Sequence, residues 1–260
     1  MSRLEKVFQN KKAFIPFITA GDPSLDITKE LILCMAKAGA DLIELGIPFS
    51  DPIAEGPVIQ EADSRALSAG TTTDKLFTMV EELRKECDVP IAFMTYVNPI
   101  HTYGTERFMK NCQGARIDAV IVPDVPYEEK SELKPYCDSY GITLISMIAP
   151  TSKDRIEKIA IEAEGFLYCV SSMGVTGVRK ELGTEIEEMI RAVKEVKDIP
   201  CAIGFGISTP EQAMKMAALA DGVIVGSAIV KIVGEYGNAS VPYVEDYVRR
   251  MKGACEECQQ

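Results

Sequence analysis

Residues 40–48 read Ala40-Asp-Leu-Ile-Glu-Leu-Gly-Ile-Pro48, and the fold is decided by how this stretch is read. It is too short for a typical helix and almost continuously apolar. A strand covered on both faces looks like this, and such strands belong to parallel sheets. Side chains alternate along a strand, so Ile43, Leu45 and Ile47 share one face and Leu42, Glu44 and Gly46 share the other. The first set suits packing against outer helices. The second set suits the inside of a closed sheet, and it carries a single charge.

Seven further runs of the same kind lie at 13–20, 89–97, 117–125, 142–150, 165–172, 199–206 and 220–228. Amphipathic segments separate them. Ser24 opens one, with Ile27, Leu31, Cys34, Met35 and Ala38 on a single helical face, and Gly39 stops it. Thr184 with Glu187, and Ser208 with Glu211 and Pro210, read as capping boxes. Segments 73–86, 126–139 and 151–163 also read as helices. Eight strand–helix units allow a closed (β/α)8 TIM barrel or an open doubly wound sheet. The even spacing and the absence of any linker favour the α/β barrel. A chain of 260 residues fits one such domain, 1–260, since these barrels commonly use about 250 residues. Extra helices are expected at the N-terminus, 2–9, and in the loop after the second run, 58–69.

The net charge of −11 speaks against nucleic acid or an anionic membrane as partner. An anionic small molecule would need a local device instead. The N-terminal segment has no apolar core of a signal peptide, and no apolar run approaches the roughly 20 residues of a membrane span. The eight cysteines are scattered rather than framed, which points to reduced thiols and a cytoplasmic protein. Cys255 and Cys258 have CxxC spacing, but no second pair and no nearby histidine completes a metal site, so no metal is expected.

Barrel chemistry sits at the C-terminal ends of the strands. Glu44 points into an apolar interior there. Burial would raise its pKa toward neutrality and suit it to acid–base work, the plainer alternative being a salt-bridged core glutamate. The following loop, 48–57, adds Asp51, Glu55 and three prolines. Ser50 or Asp51 could simply close a turn before Pro52. Glycines cluster after the last three runs: Gly174 and Gly177, Gly204 and Gly206, then Gly226-Ser227 leading into a short helix at 228–233. Backbone amides in such loops and at a helix N-terminus form a phosphate grip. The segment 174–183, with Thr176, Arg179 and Lys180, reads as a lid over it.

Six stretches carry a family resemblance across nearly the whole chain: Pro16-Phe-Ile-Thr-Ala-Gly-Asp-Pro23, Glu44-Leu-Gly-Ile-Pro-Phe-Ser-Asp-Pro-Ile-Ala-Glu-Gly-Pro-Val-Ile-Gln60, Pro123-Asp-Val-Pro126, Tyr168-Cys-Val-Ser-Ser-Met-Gly-Val-Thr-Gly177, Gly204-Phe-Gly-Ile-Ser208 and Asp221-Gly-Val-Ile-Val-Gly-Ser227. Together they resemble the tryptophan synthase α subunit family. The resemblance implies a retro-aldol lyase that splits indole-3-glycerol phosphate into indole and glyceraldehyde 3-phosphate. It implies no cofactor in this subunit. It also implies a pyridoxal-phosphate β subunit as partner, in an αββα tetramer, with no nucleic acid and no membrane.

By the same resemblance Glu44 shuttles protons between indole C3 and the glycerol hydroxyl, Glu55 holds the indole N–H, and Tyr168 lines the reacting carbons. Gly177, Gly204, Phe205, Gly206, Gly226 and Ser227 cradle the phosphate, and Thr176 orders the lid. Phe17, Tyr96 and Phe205 wall the indole ring. Pro48, Asp51 and Asn98 fall on the partner surface. Glu55 stands where the family usually has aspartate. It keeps the carboxylate and lengthens its reach by roughly 1.5 Å, one C–C bond. Asp124, inward-facing at the end of the fourth run, is a candidate for orienting the lid or a polar partner.

His101, the only histidine, follows Asn98-Pro99 in an expected loop and is assigned no chemistry. Tyr127 reads as the start of an outer helix, and Met214 and Met216 as helix packing. A Schiff-base aldolase on this fold would need a lysine within a strand run, and the runs contain none. Two readings within the resemblance compete with a partner-activated lyase. One is a subunit that only activates its partner; the other is a lyase that works alone.

Overall fold

The computed structural model describes residues 3–150, 153–170, 179–204 and 206–258, with the backbone alone over 179–183. Its strands are β1 Ala13–Thr19, β2 Ile43–Gly46, β3 Ile91–Met94, β4 Ala119–Ile121, β5 Thr143–Leu144, β6 Ser146–Ile148, β7 Leu167–Val170, β8 Cys201–Gly204 and β9 Gly222–Val225. Every pairing is parallel, in the order β5-β4-β3-β2-β1-β9-β8-β7-β6. The two ends of that order are neighbours along the chain. Ile145 joins them, and its N–H donates to Val120 O at 2.9 Å. β5 and β6 are therefore one run that pairs with β4 at its start and with β7 at its end, and this run closes a TIM barrel. Each of the eight apolar runs supplies wall, trimmed at both ends except for the first, whose strand begins with the run at Ala13.

Alternation sorts the apolar side chains as the sequence implies. Ile43, Leu45 and Ile47 join the cluster between wall and helices. Leu42 joins Ile15, Ala92, Ala119, Ile121, Ile145, Phe166, Tyr168, Ala202 and Ile224 inside the ring. Leu4 and Val7 of helix Arg3–Val7 extend the inner cluster, and Arg3 Nε donates to Asp118 at 2.8 Å just before β4. The N-terminal helix thus plugs the end of the barrel away from the strand C-termini.

Helix Leu25–Lys37 starts at Ser24, whose hydroxyl accepts the Ile27 N–H, and Gly39 follows it with φ +103°. Helix Pro57–Ser68 fills the loop after β2, as expected, ahead of helix Thr73–Leu83. Two expected caps are corrected. The box before the last βα unit is Thr209 with Gln212, not Ser208 with Glu211; Pro210 still occupies the first turn. Thr184 caps nothing, because helix Arg179–Val196 already runs through it. Segment 126–139 is a 3-10 turn, Tyr127–Glu132, followed by helix Lys134–Tyr140. His101 lies in a helix, Val97–Tyr103, rather than a loop. Helices Thr105–Gly114 and Val241–Glu257 complete the outer layer with Lys153–Glu162, Pro210–Leu219 and Ser227–Tyr236.

The C-terminal helix Val241–Glu257 lies against the first βα unit. Its Lys252 ammonium donates to Asp41 at 2.8 Å and to the Lys12 carbonyl at 3.2 Å, and Val244, Val248 and Met251 are buried. Among the described residues no helix is long and apolar enough to cross a membrane. All eight cysteines are free thiols.

Candidate functional site

A cavity of about 560 Å³ opens at the C-terminal ends of the strands. Small-molecule sites commonly occupy ~300–1,000 Å³. Phe17, Glu44, Met94, Tyr168 and Ile224 form its floor from the strands, while Glu55, Val58 and Ile59 bound it from the loop and helix after β2. Gly206, Ser208, Gly226, Ser227 and Lys231 line it from the last two βα units.

Glu44 sits between Phe17 and Ala92 in the register of β1, β2 and β3. It is 1% exposed, and neither carboxylate oxygen has a hydrogen-bond partner among the described residues. A buried charge without a partner is costly, so the proton is retained. Burial pushes the Glu44 pKa from 4.5 to about 8, and the nearby Glu55 carboxylate pushes the same way. Among the described residues no salt bridge holds Glu44, which speaks against the core ion-pair reading.

Glu55 is half-buried. The Tyr96 hydroxyl donates to its carboxylate, and the same hydroxyl accepts the Ala54 N–H at 2.9 Å. Burial raises Glu55 to about 7 against the pull of the Glu55 and Ala54 backbone hydrogen bonds, and the charge of Asp124 adds to the rise. Tyr96 is itself buried and is not among the residues that line the cavity. Tyr168 is buried at the cavity floor. Its phenol is held well above its ordinary pKa, first by burial and then by Glu44 and Glu55, so it stays neutral.

Asp124 lies beyond the end of β4, and its carboxylate accepts the Val97 N–H at 3.0 and 3.2 Å. It supplies an acceptor to the otherwise unpaired first turn of helix Val97–Tyr103. That helix carries Asn98, whose exposed side chain accepts from Thr102. In the loop 48–57, Pro48 is buried beside Leu67 and Leu76, whereas Asp51 is exposed and hydrogen-bonded to Ser50. Ile53 is 79% exposed.

On the far side, Gly226 caps helix Ser227–Tyr236 with its carbonyl, which accepts from Ile229 at 2.8 Å and Val230 at 3.1 Å. A helix leaves its first amides unpaired, and here the residues that carry them, Ser227 and Ala228, line the cavity. Gly206 has φ +70°, a conformation that favours glycine, and the Tyr247 hydroxyl fixes the loop by donating to Ser208 O at 2.9 Å. Gly204 stands deeper, in β8. A Cβ there would fall 2.6 Å from the Tyr168 hydroxyl, so this glycine makes room for the tyrosine. Thr176, Gly177 and Phe205 lie outside the described residues, as does the first half of the expected lid, 174–178.

Asp63 and Lys231 were not anticipated from sequence. Asp63 is buried on helix Pro57–Ser68 and is raised to about 7, first by burial and next by Glu55. The signal was available: an acid shares the buried face with Ala62 and Ala66. Lys231 gave no comparable signal, being one polar residue on the exposed side of a helix.

A buried carboxyl that keeps its proton at neutral pH beside a second carboxyl can serve as donor and acceptor around one bond. A helix N-terminus facing the same cavity favours an anionic end group. The profile of the family described as "Tryptophan synthase alpha chain" matches residues 4–259. A tryptophan synthase alpha chain from Lacticaseibacillus casei is 48% identical over 256 residues, covering 98% of this chain and 96% of that one. Among solved structures, tryptophan synthase subunit alpha from Legionella pneumophila superposes with a TM-score of 0.89 at 36% identity, covering 99% of both chains. A structure of the tryptophan synthase a2b2 complex from Pyrococcus furiosus matches with a TM-score of 0.85 at 36% identity, covering 94% of this chain and 98% of that one.

Proposed function

The chain belongs to the tryptophan synthase alpha chain family, a lyase subunit that cleaves indole-3-glycerol phosphate in tryptophan biosynthesis, and from that premise we propose how its residues do so. The reaction is a retro-aldol cleavage. Protonated Glu44 delivers its proton to indole C3. The bond from C3 to the first glycerol carbon then breaks, and its electron pair returns to the ring. The hydroxyl on that carbon gives up its proton to the Glu44 carboxylate and becomes the aldehyde of glyceraldehyde 3-phosphate. One carboxyl thus ends as it began, and indole is released. A pKa of about 8 supports the donor half of this cycle at neutral pH.

Glu55 accepts the indole N–H and offsets the positive charge that builds on nitrogen as C3 is protonated. Glu44 is the more deeply buried of the two, and burial disfavours the charged form, so the proton resides on Glu44 and the charge on the half-buried Glu55. Tyr168 and Phe17 bound the reacting carbons and the ring. Gly206, Gly226 and Ser227, with Gly177 and Phe205, hold the phosphate, and Gly204 seats Tyr168. Thr176 orders the lid. Acid–base groups suffice for this cleavage, so we assign the subunit no cofactor.

The partner is a pyridoxal-phosphate β subunit in an αββα tetramer, docked on loop 48–57 and on the helix carrying Asn98. The exposed Ile53 supports that surface, as does the Tyr96–Glu55 hydrogen bond, which ties the loop's conformation to the position of a catalytic carboxylate. We read residues 1–260 as one domain. Eight free thiols fit a cytoplasmic location.

The unpartnered, buried Glu44 carries the mechanism. Indole release from indole-3-glycerol phosphate tests it, with the protein alone and with a matching β subunit. We expect slow release alone, acceleration with the partner, and a loss of about 10²–10⁴-fold in kcat for Glu44→Gln. Undiminished release by Glu44→Gln would remove Glu44 from the chemistry. No release in either condition would make the chain an activating subunit only.

A further inference from the structure

We propose that Lys231 is a phosphate-binding residue of this site, supplying the full positive charge that backbone amides at the end of the cavity do not. The inference rests on the phosphate reading above and extends it to a residue with no assigned role.

Among the described residues, Lys231 is the only Lys, Arg or His that lines the cavity. The other charged lining residues are Glu44 and Glu55. A phosphorylated substrate therefore brings a dianion into a cavity that already holds two carboxyls, on a chain whose net charge is −11. The global field opposes entry, and a local cation must offset it. Glu44 marks the reacting end, because its unpartnered oxygens face this same cavity from the strand floor. Lys231 marks the opposite end, one helical turn after Ser227 on helix Ser227–Tyr236.

Geometry on the helix favours the contact. Residues four apart lie on one face, and helical side chains lean toward the N-terminus. The Lys231 stem is thus directed back over Ser227 and Gly226, where the phosphate is read to sit. Among the described residues no hydrogen bond or ion pair commits its ammonium elsewhere. Most other lysines and arginines of the described residues are tied to carboxylates or carbonyls, as Lys194 is to Asp221 and Lys252 to Asp41. The helix end contributes about half a charge. An ammonium adds a unit charge on a flexible stem.

A contact made equally to substrate and transition state changes KM and leaves kcat alone. The test uses the chain saturated with its β partner. Lys231→Met keeps the stem and removes the charge; Lys231→Arg restores it. We expect Lys231→Met to raise KM for indole-3-glycerol phosphate about tenfold, in the range of a charge-assisted hydrogen bond, with kcat within about twofold. Titration calorimetry with inorganic phosphate should show the same tenfold loss, indole affinity should stay unchanged, and Lys231→Arg should recover most of the loss. Unchanged KM and unchanged phosphate affinity in Lys231→Met, with an active wild type, overturn the inference and leave the assigned reaction standing. Equal losses for indole and phosphate overturn it as well, since they indicate a packing role. A wild type that does not cleave the substrate overturns the premise and this inference with it.

Discussion

Glu44 has two oxygens that accept no hydrogen bond and a proton that stays on to about pH 8, and this leaves a mark on stability that can be measured without substrate. Its ordinary pKa is 4.5. Between that value and about 8 the folded state binds a proton that the unfolded state has released. Stability from this group therefore falls as pH rises through the window. Glu55 and Asp63, both raised to about 7, add slope of the same sign. Melting temperatures taken from pH 5 to 8 should decline more gently for Glu44→Gln than for wild type, and the two should diverge most at the alkaline end. Parallel curves would show that Glu44 is ionised or solvated in the folded protein. At this scale the sequence was informative where strand alternation applies. Glu44 has only two faces to choose from, and its neighbours decide which one it takes. Lys231 lies on a helix whose rotation about its axis is set by packing with distant elements, so its approach to the cavity was not legible in the local pattern.

The element after β8 shows how a small local device serves the site. Thr209 and Gln212 form a reciprocal cap, and the Gln212 side chain also accepts the Ser208 N–H at 2.8 Å. The cap therefore anchors the loop that carries Gly206 and Ser208 into the cavity. Thr209→Ala should cost about 1 kcal/mol, typical of a lost N-cap, and lower the melting temperature by roughly 2–4 °C. An unchanged melting temperature would mean that packing of Ala213 and Ala217 fixes the helix without the cap. The strands were readable because burial on both faces writes a continuous apolar run. The helices were less so. Val244, Val248, Met251 and Cys255 do repeat at helical spacing in the C-terminal helix, but charged residues between them mask the stripe. Helices Val97–Tyr103 and Thr105–Gly114 meet at Gly104, whose φ of +92° lets one follow the other directly, and so short a pair resembles a loop in sequence. Thr184 misled because a capping box is a three-residue signal, and helix Arg179–Val196 extends past it in both directions.

At the scale of the whole molecule, loop 48–57 faces two ways, with Glu55 toward the cavity and Ile53 toward solvent. Covering an exposed isoleucine is worth about 1.5–3 kcal/mol, so Ile53→Asp should weaken binding of the β partner by at least about tenfold. The isolated chain's own turnover should stay within about twofold of wild type. A dissociation constant unmoved by Ile53→Asp would place the docking surface elsewhere. The ring itself adds a different consequence. β1 pairs with β9, and the helix that ends the chain packs on the βα unit that begins it, with Lys252 reaching Asp41 and Lys12. A polypeptide made from its N-terminus holds a first strand paired on one edge only until β9, Gly222–Val225, has been made. Messages cut short before the codon for Gly222 would thus yield open rings with a bare edge, fit for self-association and for proteolysis rather than for partial activity.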